Sequence, residues 1–100
     1  MIARIWHGAV KKERSAEYLK LMRTVALPDY RSVPGNLAAY ALHRADGEVS
    51  HFLMLTLWES LDAISNFAGD DVAAAKYYDF DKDLLLELES TAQHYEVFAE

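Results

Sequence analysis

Four histidines are the side chains of this chain best suited to proton transfer, because an imidazole with a pKa near ~6.5 changes charge close to neutral pH. His94 is the first candidate for a general base, since it lies in the middle of the last apolar segment beside Tyr95. His7, in the first apolar segment, is the second candidate. A histidine hydrogen-bonded by a neighbour in the core is the alternative interpretation of both.

Other kinds of chemistry have little support. The chain has no cysteine, which removes disulfides, thiolate nucleophiles, iron–sulfur clusters and cysteine zinc sites. Neither a His-x-His nor a His-Glu-x-x-His motif is present, and no glycine-rich phosphate loop occurs. Asp79, Asp81 and Asp83 alternate as in part of a calcium loop, but Leu84 stands where that loop requires glycine. We therefore predict no metal and no nucleotide site, and we interpret these aspartates as solvated loop charges.

Length and composition predict one domain over residues 1–100. The formal charge of -6 argues against a nucleic-acid partner, which usually selects a basic surface. The 52% hydrophobic content excludes disorder, yet no apolar run approaches the roughly 18 residues of a membrane span. No export signal is visible at the start of the chain, so a cytoplasmic location is expected.

Apolar periodicity and turn residues predict four strands and two main helices. The predicted strands are residues 2–10, 36–44, 51–58 and 91–98, and the main helices run from Ser15 to about Leu27 and from Ser60 to Gly69. Pro28 is expected to end or kink the first helix. Shorter helical turns are expected between Asp70 and Tyr77 and near Leu84–Leu88.

The order β-α-β-β-α-β predicts an α+β, ferredoxin-like domain with a four-stranded antiparallel sheet and helices on one face. A hairpin turn at Asp46-Gly47 would place Tyr40 opposite Leu53, with His43 and His51 on opposite faces. The third strand is apolar on both sides, so the face without helices needs another cover. We expect a homodimer through this open sheet face, which would form a dimeric α/β barrel.

Three motifs carry a resemblance to a known family. They are Trp6-His7-Gly8 in the first strand, Pro34-Gly35-Asn36 before the second, and Leu57-Trp58-Glu59-Ser60 before a helix. Together with the order of elements over nearly the whole chain, they resemble the antibiotic biosynthesis monooxygenase-like family of dimeric α/β barrels. That family includes cofactor-independent oxygenases of reduced polycyclic aromatics, haem-degrading enzymes and proteins of unknown activity.

The oxygenases of the family need neither metal nor flavin, because their quinol- or anthrone-like substrate becomes a carbanion and reduces oxygen itself. The resemblance therefore implies an enzyme without a cofactor that binds a small aromatic, moves a proton and excludes water. His94 and His7 would be its catalytic candidates, and the substrate-binding candidates are Trp6, Asn36, Trp58, Phe67, Tyr77 and Tyr78. Each of these aromatic residues has an alternative role as a core residue.

Two other functions stay open. One is a non-catalytic dimeric module that binds a small hydrophobic ligand, with its histidines bonded into the core and no ligand-sized cavity. The other is haem degradation, whose characteristic asparagine, tryptophan and histidine would fall near His7, Phe67 and Tyr77. None of the three residue types matches, so the sequence disfavours this function.

Overall fold

The strands β1 (Ile2–Lys11), β2 (Asn36–Asp46), β3 (Val49–Trp58) and β4 (Gln93–Glu96) form one antiparallel sheet in the order β2-β3-β1-β4. The computed structural model describes all 100 residues. At the centre of the sheet, β1 pairs with β3 along its whole length, from Ile2 opposite Trp58 to Lys11 opposite Val49. This strand order confirms the predicted ferredoxin-like α+β fold.

A long helical region covers one face of the sheet. It consists of a 3-10 turn (Lys12–Arg14), α1 (Ser15–Leu21), a π-helical segment (Met22–Ala26) and α2 (Leu27–Ser32). The predicted end of the helix near Pro28 is wrong. Pro28 lies in the first turn of α2, where its missing N–H group is tolerated, and the helical path continues to Ser32.

The helix α3 (Leu61–Ala68) begins and ends as its sequence predicts. The Ser60 hydroxyl accepts a hydrogen bond from the Ala63 N–H group at 3.1 Å, and Gly69 follows the last turn with a φ of 87°. Ile64 and Phe67 are the buried residues of this helix. No helix of the protein is long and apolar enough to cross a membrane.

The hairpin between β2 and β3 differs from the predicted register by two residues. The turn is Gly47-Glu48, and Tyr40 therefore lies opposite Leu55 instead of Leu53. Gly47 takes the first turn position with a φ of 59°, a conformation that glycine adopts without steric cost. Because a shift of two leaves every side chain on its face, His43 and His51 still lie on opposite faces.

The segment between α3 and β4 is less helical than predicted. Residues 69–80 contain no helix, because Asp71 forms a turn in which its side chain accepts the Ala73 N–H group at 3.2 Å. Only α4 (Asp81–Leu84) is helical, and Leu85 already bridges to Val10 in an extended conformation. The last strand is also shorter than predicted, since β4 spans only Gln93–Glu96.

The second face of the sheet carries no other layer, and we call it the open face. Tyr40 and Leu42 of β2 and Tyr95 of β4 are 53%, 44% and 55% exposed there. The register of the strands places mostly apolar side chains on this face: Ala3, Ile5, His7, Ala9, Ala38, Tyr40, Leu42, His51, Leu53, Leu55, Leu57 and Tyr95. An apolar surface of this kind is typical of an interaction site.

Replacing Gly35 by alanine will destabilise the protein. Gly35 has a φ of 90°, and a Cβ atom there would lie 2.4 Å from the Cβ atom of Ala63 in α3. We expect Gly35→Ala to lower the free energy of unfolding by about 2–4 kcal/mol through backbone strain and overpacking. The control is Gly47→Ala, where φ is also positive but nothing lies within 4 Å, and which should cost about 1 kcal/mol. Equal losses in urea denaturation would contradict the packing argument.

Candidate functional site

Four buried side chains at every fourth position of the helical region face the sheet: Tyr18, Met22, Ala26 and Tyr30. In an ordinary α-helix a spacing of four drifts around the axis by about 40° at each step, so four such residues would not share one face. Here the Leu27 N–H group donates to the carbonyl oxygen of Met22, five residues back. This wider turn slows the drift and keeps all four residues along one line.

These four residues form one wall of a cavity between the helical region and the sheet. Trp6 and Met54 line it from the sheet. The remaining wall comes from the segment after α3. The cavity volume is about 10 Å³, which is room for roughly one water molecule. The interior site is therefore closed around its aromatic side chains in this conformation.

Two tyrosine–aspartate pairs stand at the edge of this cavity. The Tyr18 hydroxyl donates to Asp81 Oδ1 at 2.6 Å, and the Tyr78 N–H group donates to Asp81 Oδ2 at 2.7 Å. The Tyr78 hydroxyl donates in turn to Asp29 Oδ2 at 2.6 Å, and Lys76 Nζ lies 3.3 Å from the same oxygen. Together these contacts satisfy the buried carboxylate of Asp81 and the half-buried carboxylate of Asp29.

Protonation of these groups follows from their burial. Asp81 is 1% exposed, and desolvation raises the pKa of its carboxyl group, while the bonds from Tyr18 and Tyr78 oppose that rise. Burial also raises the pKa of the Tyr18 and Tyr78 hydroxyls, and it raises the pKa of Tyr30 to about 12. All three phenols are therefore neutral at physiological pH, and those of Tyr18 and Tyr78 donate hydrogen bonds.

Sequence reasoning missed Asp81, Tyr18 and Arg4. The interpretation of Asp81 as a solvated loop charge is wrong, since its carboxylate accepts bonds inside the domain. Tyr18 in an otherwise apolar helical stripe was the available signal, because a buried phenol needs an acceptor. Arg4 is fully buried, and its signal was one charge inside a strand that is apolar on both sides.

His94 lies on the helix-covered face of the sheet, opposite Arg4 on β1. Its Nε2 atom is buried and has no hydrogen-bond partner. Burial, and after it the positive charge of Arg4, lower the pKa of His94, so that its imidazole is neutral at physiological pH. A neutral imidazole with a free nitrogen is competent to exchange a proton with a ligand.

His7 lies on the open face and not beside His94. Its Nδ1 atom contacts the carboxylate of Glu89, and its Nε2 atom lies 2.9 Å from Nδ1 of His51. The His51 Nε2 atom is 3.6 Å from Asp46 Oδ2, which completes a chain of two imidazoles between two carboxylates. Because His7 and His94 lie on opposite faces, they do not serve one site within a single chain.

The predicted substrate-binding residues occupy several positions. Trp6 and Tyr78 line the cavity, and the Tyr77 ring meets Trp6 edge-on at 6.0 Å between centroids. The Phe67 ring stacks on the Tyr30 ring, with 4.2 Å between the two centroids.

Trp58 and Asn36 have bonded roles next to the site. The fully buried Trp58 donates its Nε1–H to Thr56 Oγ1 at 2.8 Å. The Asn36 amide donates to the carbonyl oxygens of Ala38 and Leu57, at 3.2 and 3.4 Å, and does not line the cavity.

Residues 1–75 match the family described as antibiotic biosynthesis monooxygenase. The chain belongs to this family. The match ends at Ala75, so β1, β2, β3 and α3 lie within it, whereas α4, β4 and His94 lie outside. No curated protein matches the chain in sequence.

Solved structures share the fold of this antibiotic biosynthesis monooxygenase family member along its full length. A candidate antibiotic biosynthesis monooxygenase from Nitrosomonas europaea is 17% identical, with 99% of this chain and 100% of that chain covered and a TM-score of 0.71. Another from Bacillus cereus is 15% identical, with 99% and 94% covered and a TM-score of 0.67. A MhuD variant with two manganese protoporphyrin IX molecules bound per active site is 18% identical, with 100% and 97% covered and a TM-score of 0.58. At these identities the similarity establishes the fold alone.

Removing the Tyr18 hydroxyl will make stability depend more strongly on pH. The raised pKa of Asp81 means that the folded state loses stability as pH rises above the unfolded pKa of about 3.9. Tyr18→Phe removes a bond that limits this rise, so we expect a loss of about 1–3 kcal/mol at pH 7 and a smaller loss at pH 4. Urea denaturation at both pH values measures the difference. Tyr40→Phe, at an exposed position, is the control, and a Tyr18→Phe loss that is equal at both pH values would refute the coupling.

Proposed function

We propose that this protein is a cofactor-independent monooxygenase that acts on a small or polycyclic aromatic substrate of the quinol or anthrone type. The observation that carries the proposal is the neutral, unpaired His94 imidazole on the same face of the sheet as an aromatic-lined cavity. Membership of a monooxygenase family favours this chemistry over other uses of such a cavity.

His94 is the proposed base. It removes a proton from the acidic methylene or hydroxyl group of the substrate, and the resulting anion is electron-rich enough to reduce molecular oxygen. For an anthrone, the carbon anion passes electrons to oxygen, a carbon–oxygen bond forms, and the peroxide takes up the proton. Loss of water then leaves a carbonyl group, so that one CH2 group and one O2 molecule give one C=O group and one H2O molecule.

The aromatic walls would hold the flat substrate and exclude water. Trp6, Tyr30 and Tyr78 offer ring faces and edges to an aromatic ligand. The closed cavity must widen to admit it. Displacement of residues 69–80, which contain no helix and one isolated β-bridge, would widen it and would break the Tyr78 bonds to Asp81 and Asp29. Met22, an unbranched side chain, can adapt its shape on the opposite wall.

A porphyrin fits these residues poorly. No histidine lines the interior cavity, so it offers no imidazole to ligate a haem iron. His7, which the haem-degrading pattern would place near the ligand, lies on the open face with Glu89 and His51. We therefore derive no step that involves haem.

We further propose that two copies of the chain associate through the open face, in the cytoplasm. Leu53, Leu55 and Leu57 lie side by side with the apolar residues of β1 on that face. A two-fold contact would bury this surface against its own copy and close a barrel. The same contact would enclose the row of polar side chains formed by Glu89, His7, His51 and Asp46.

Oxygen uptake by the metal-free protein with a panel of anthrones and hydroquinones tests the oxygenase. We expect protein-dependent uptake that falls about 100-fold or more in His94→Ala, because positioned bases contribute at that scale. The rate should be constant near pH 7 and decline only at acidic pH, since the lowered pKa keeps His94 unprotonated. His43→Ala, an exposed histidine of β2, is the control.

Each outcome of this assay has a meaning. Uptake unchanged by His94→Ala would keep the oxygenase but remove His94 as its base. No uptake with any member of the panel would favour the module that binds a small hydrophobic ligand without catalysis.

Charge on the open face will prevent self-association. Leu42 on this face and Leu61 on α3 are 44% and 47% exposed, so the same change can be compared at both sites. We expect Leu42→Asp to convert a dimer into a monomer in sedimentation velocity, because a buried carboxylate would oppose the contact. Leu61→Asp should remain dimeric. A wild-type monomer at micromolar concentration, or dimers of both variants, would contradict this interface.

A further inference from the structure

Arg4 is a buried cation whose hydrogen bonding is incomplete. It lies in the central strand β1 and is 0% exposed. One nitrogen, Nη2, donates to the carbonyl oxygen of Ala74 at 3.0 Å, while Nε and Nη1 have no partner. Arginine keeps its charge at all physiological pH values, so this site holds a positive charge that no proton loss can remove.

No carboxylate of the chain neutralises this charge. None of the ion pairs in the structure includes Arg4. Asp29 and Asp81, whose charges act on Tyr30 together with that of Arg4, are already engaged, since Asp29 bonds Lys76 and Tyr78 and Asp81 bonds Tyr18. An isolated buried charge is costly, and natural proteins rarely retain one without a compensating partner.

Aromatic contact compensates only a part of the charge. The guanidinium carbon of Arg4 lies 5.5 Å from the centroid of Phe67, a cation–π geometry. The same ring also receives Lys76 Nζ at 4.2 Å, so two cations share one aromatic partner. Lys76 has the carboxylate of Asp29 beside it, which leaves Arg4 as the cation without an anion.

The groups next to Arg4 also have unused hydrogen-bonding capacity. Trp6, two residues along β1 on the same face, has a buried Nε1–H group without an acceptor. His94, directly opposite Arg4 on β4, has a buried Nε2 atom without a partner. Three neighbouring side chains therefore have unsatisfied nitrogens around one positive charge. An anionic oxygen would accept from the Arg4 and Trp6 donors, and from His94 once its imidazole has taken up the substrate proton.

We propose that Arg4 is a substrate-binding residue that pairs with an anionic oxygen of the ligand, either a carboxylate or an ionised phenol or enol. This inference rests on the proposed function, and it restricts the proposed substrates to aromatic molecules that carry an acidic group. The ring would occupy the widened cavity beside Trp6 and Tyr30, and the anionic oxygen would reach Nε and Nη1 of Arg4. Such an oxygen would also lie next to His94, where a carbanion and its enolate oxygen need stabilisation.

The path to Arg4 and the path into the cavity depend on the same segment. Ala74, whose carbonyl oxygen accepts the bond from Arg4 Nη2, lies in residues 69–80, which also contribute Lys76 and Tyr78 to the cavity wall. Displacement of this segment would open the cavity and would at the same time break the Ala74 bond, so that Nη2 becomes the third unpaired nitrogen of Arg4. The anion would then replace the Ala74 carbonyl oxygen as the acceptor.

Binding of charged and neutral aromatic probes tests the inference without any need for turnover. The carboxylate probe is 2-naphthoate with 2-naphthamide as its neutral counterpart, and the phenolate probe is 4-nitrophenolate with 4-nitroanisole. We expect titration calorimetry to show that one anion or both bind wild-type protein at least about tenfold more tightly than the neutral counterpart, because the bond to the anion is charge-assisted. The anion that binds identifies the oxygen that Arg4 recognises.

Arg4→Met removes the charge and keeps a long, flexible side chain. We expect it to abolish the preference for the anion and to raise the melting temperature of the free protein by about 4 °C or more, because an unpaired buried cation is lost. Arg4→Lys keeps the charge and should retain a part of the preference. The control is Arg31→Met, since exposed Arg31 also donates one Nη2 bond to a carbonyl oxygen, that of Ala39 at 3.1 Å.

Three results would overturn the inference: binding of neither anion by wild-type protein, equal binding of anion and neutral counterpart, or a preference that survives in Arg4→Met. If Arg4→Met does not fold, Arg4→Lys decides. Its positive charge should retain a part of the preference for the anion, and a complete loss of that preference would refute the charge pairing. Failure of oxygen uptake would leave these binding results intact, so the two proposals fail separately.

Discussion

The antiparallel pairing of β1 with β3 governs the rest of this structure. Because these two central strands pair along their whole length, their alternating side chains divide into two continuous faces. One face presents Arg4 and Trp6 to the helices, and the other presents Ile5 and His7 to the open side. The face on which each candidate functional group of the sheet lies follows from this division. No change confined to a loop could exchange the side chains of the two faces.

The sequence predicted which side chains share a face of the sheet better than it predicted the register of the hairpin and the contacts between residues far apart in the chain. The apolar strands, the Ser60 cap and Gly69 carry local signals, and the fold that they imply is the one observed. The hairpin register was wrong because glycine at position 47 suits a turn in either alignment. The burial of Asp81 was not predictable locally, since its partner Tyr18 lies 63 residues away. Arg4 stood out locally as a charge within an apolar strand, but its acceptor was not predictable, since Ala74 is 70 residues away.

The polar groups of the helix-covered face are of two kinds. Tyr18, Asp81 and Tyr78 satisfy one another and hold the segment after α3 against the helical region, so they act as part of the architecture. Arg4 and His94 are satisfied only in part, since Arg4 keeps two buried nitrogens without a partner and His94 keeps one. A core that completes one polar network and leaves its neighbour incomplete has been shaped by something other than stability, and the incomplete part is where a ligand contributes most.

The π-helical segment links the length of the chain to the shape of the cavity. The segment accommodates one residue more than a regular α-helix would hold over the same path, so the residues after it are not rotated by the about 100° that this residue would otherwise add. Deleting one residue between Met22 and Ala26 would restore regular α-helical geometry and leave Tyr30 facing the sheet, because the helix turns by about three full turns over eleven residues. The four-residue spacing of the cavity wall and the irregular turn therefore depend on each other in this chain. Without the irregular turn, one face of the helix would be built from residues at alternating spacings of three and four.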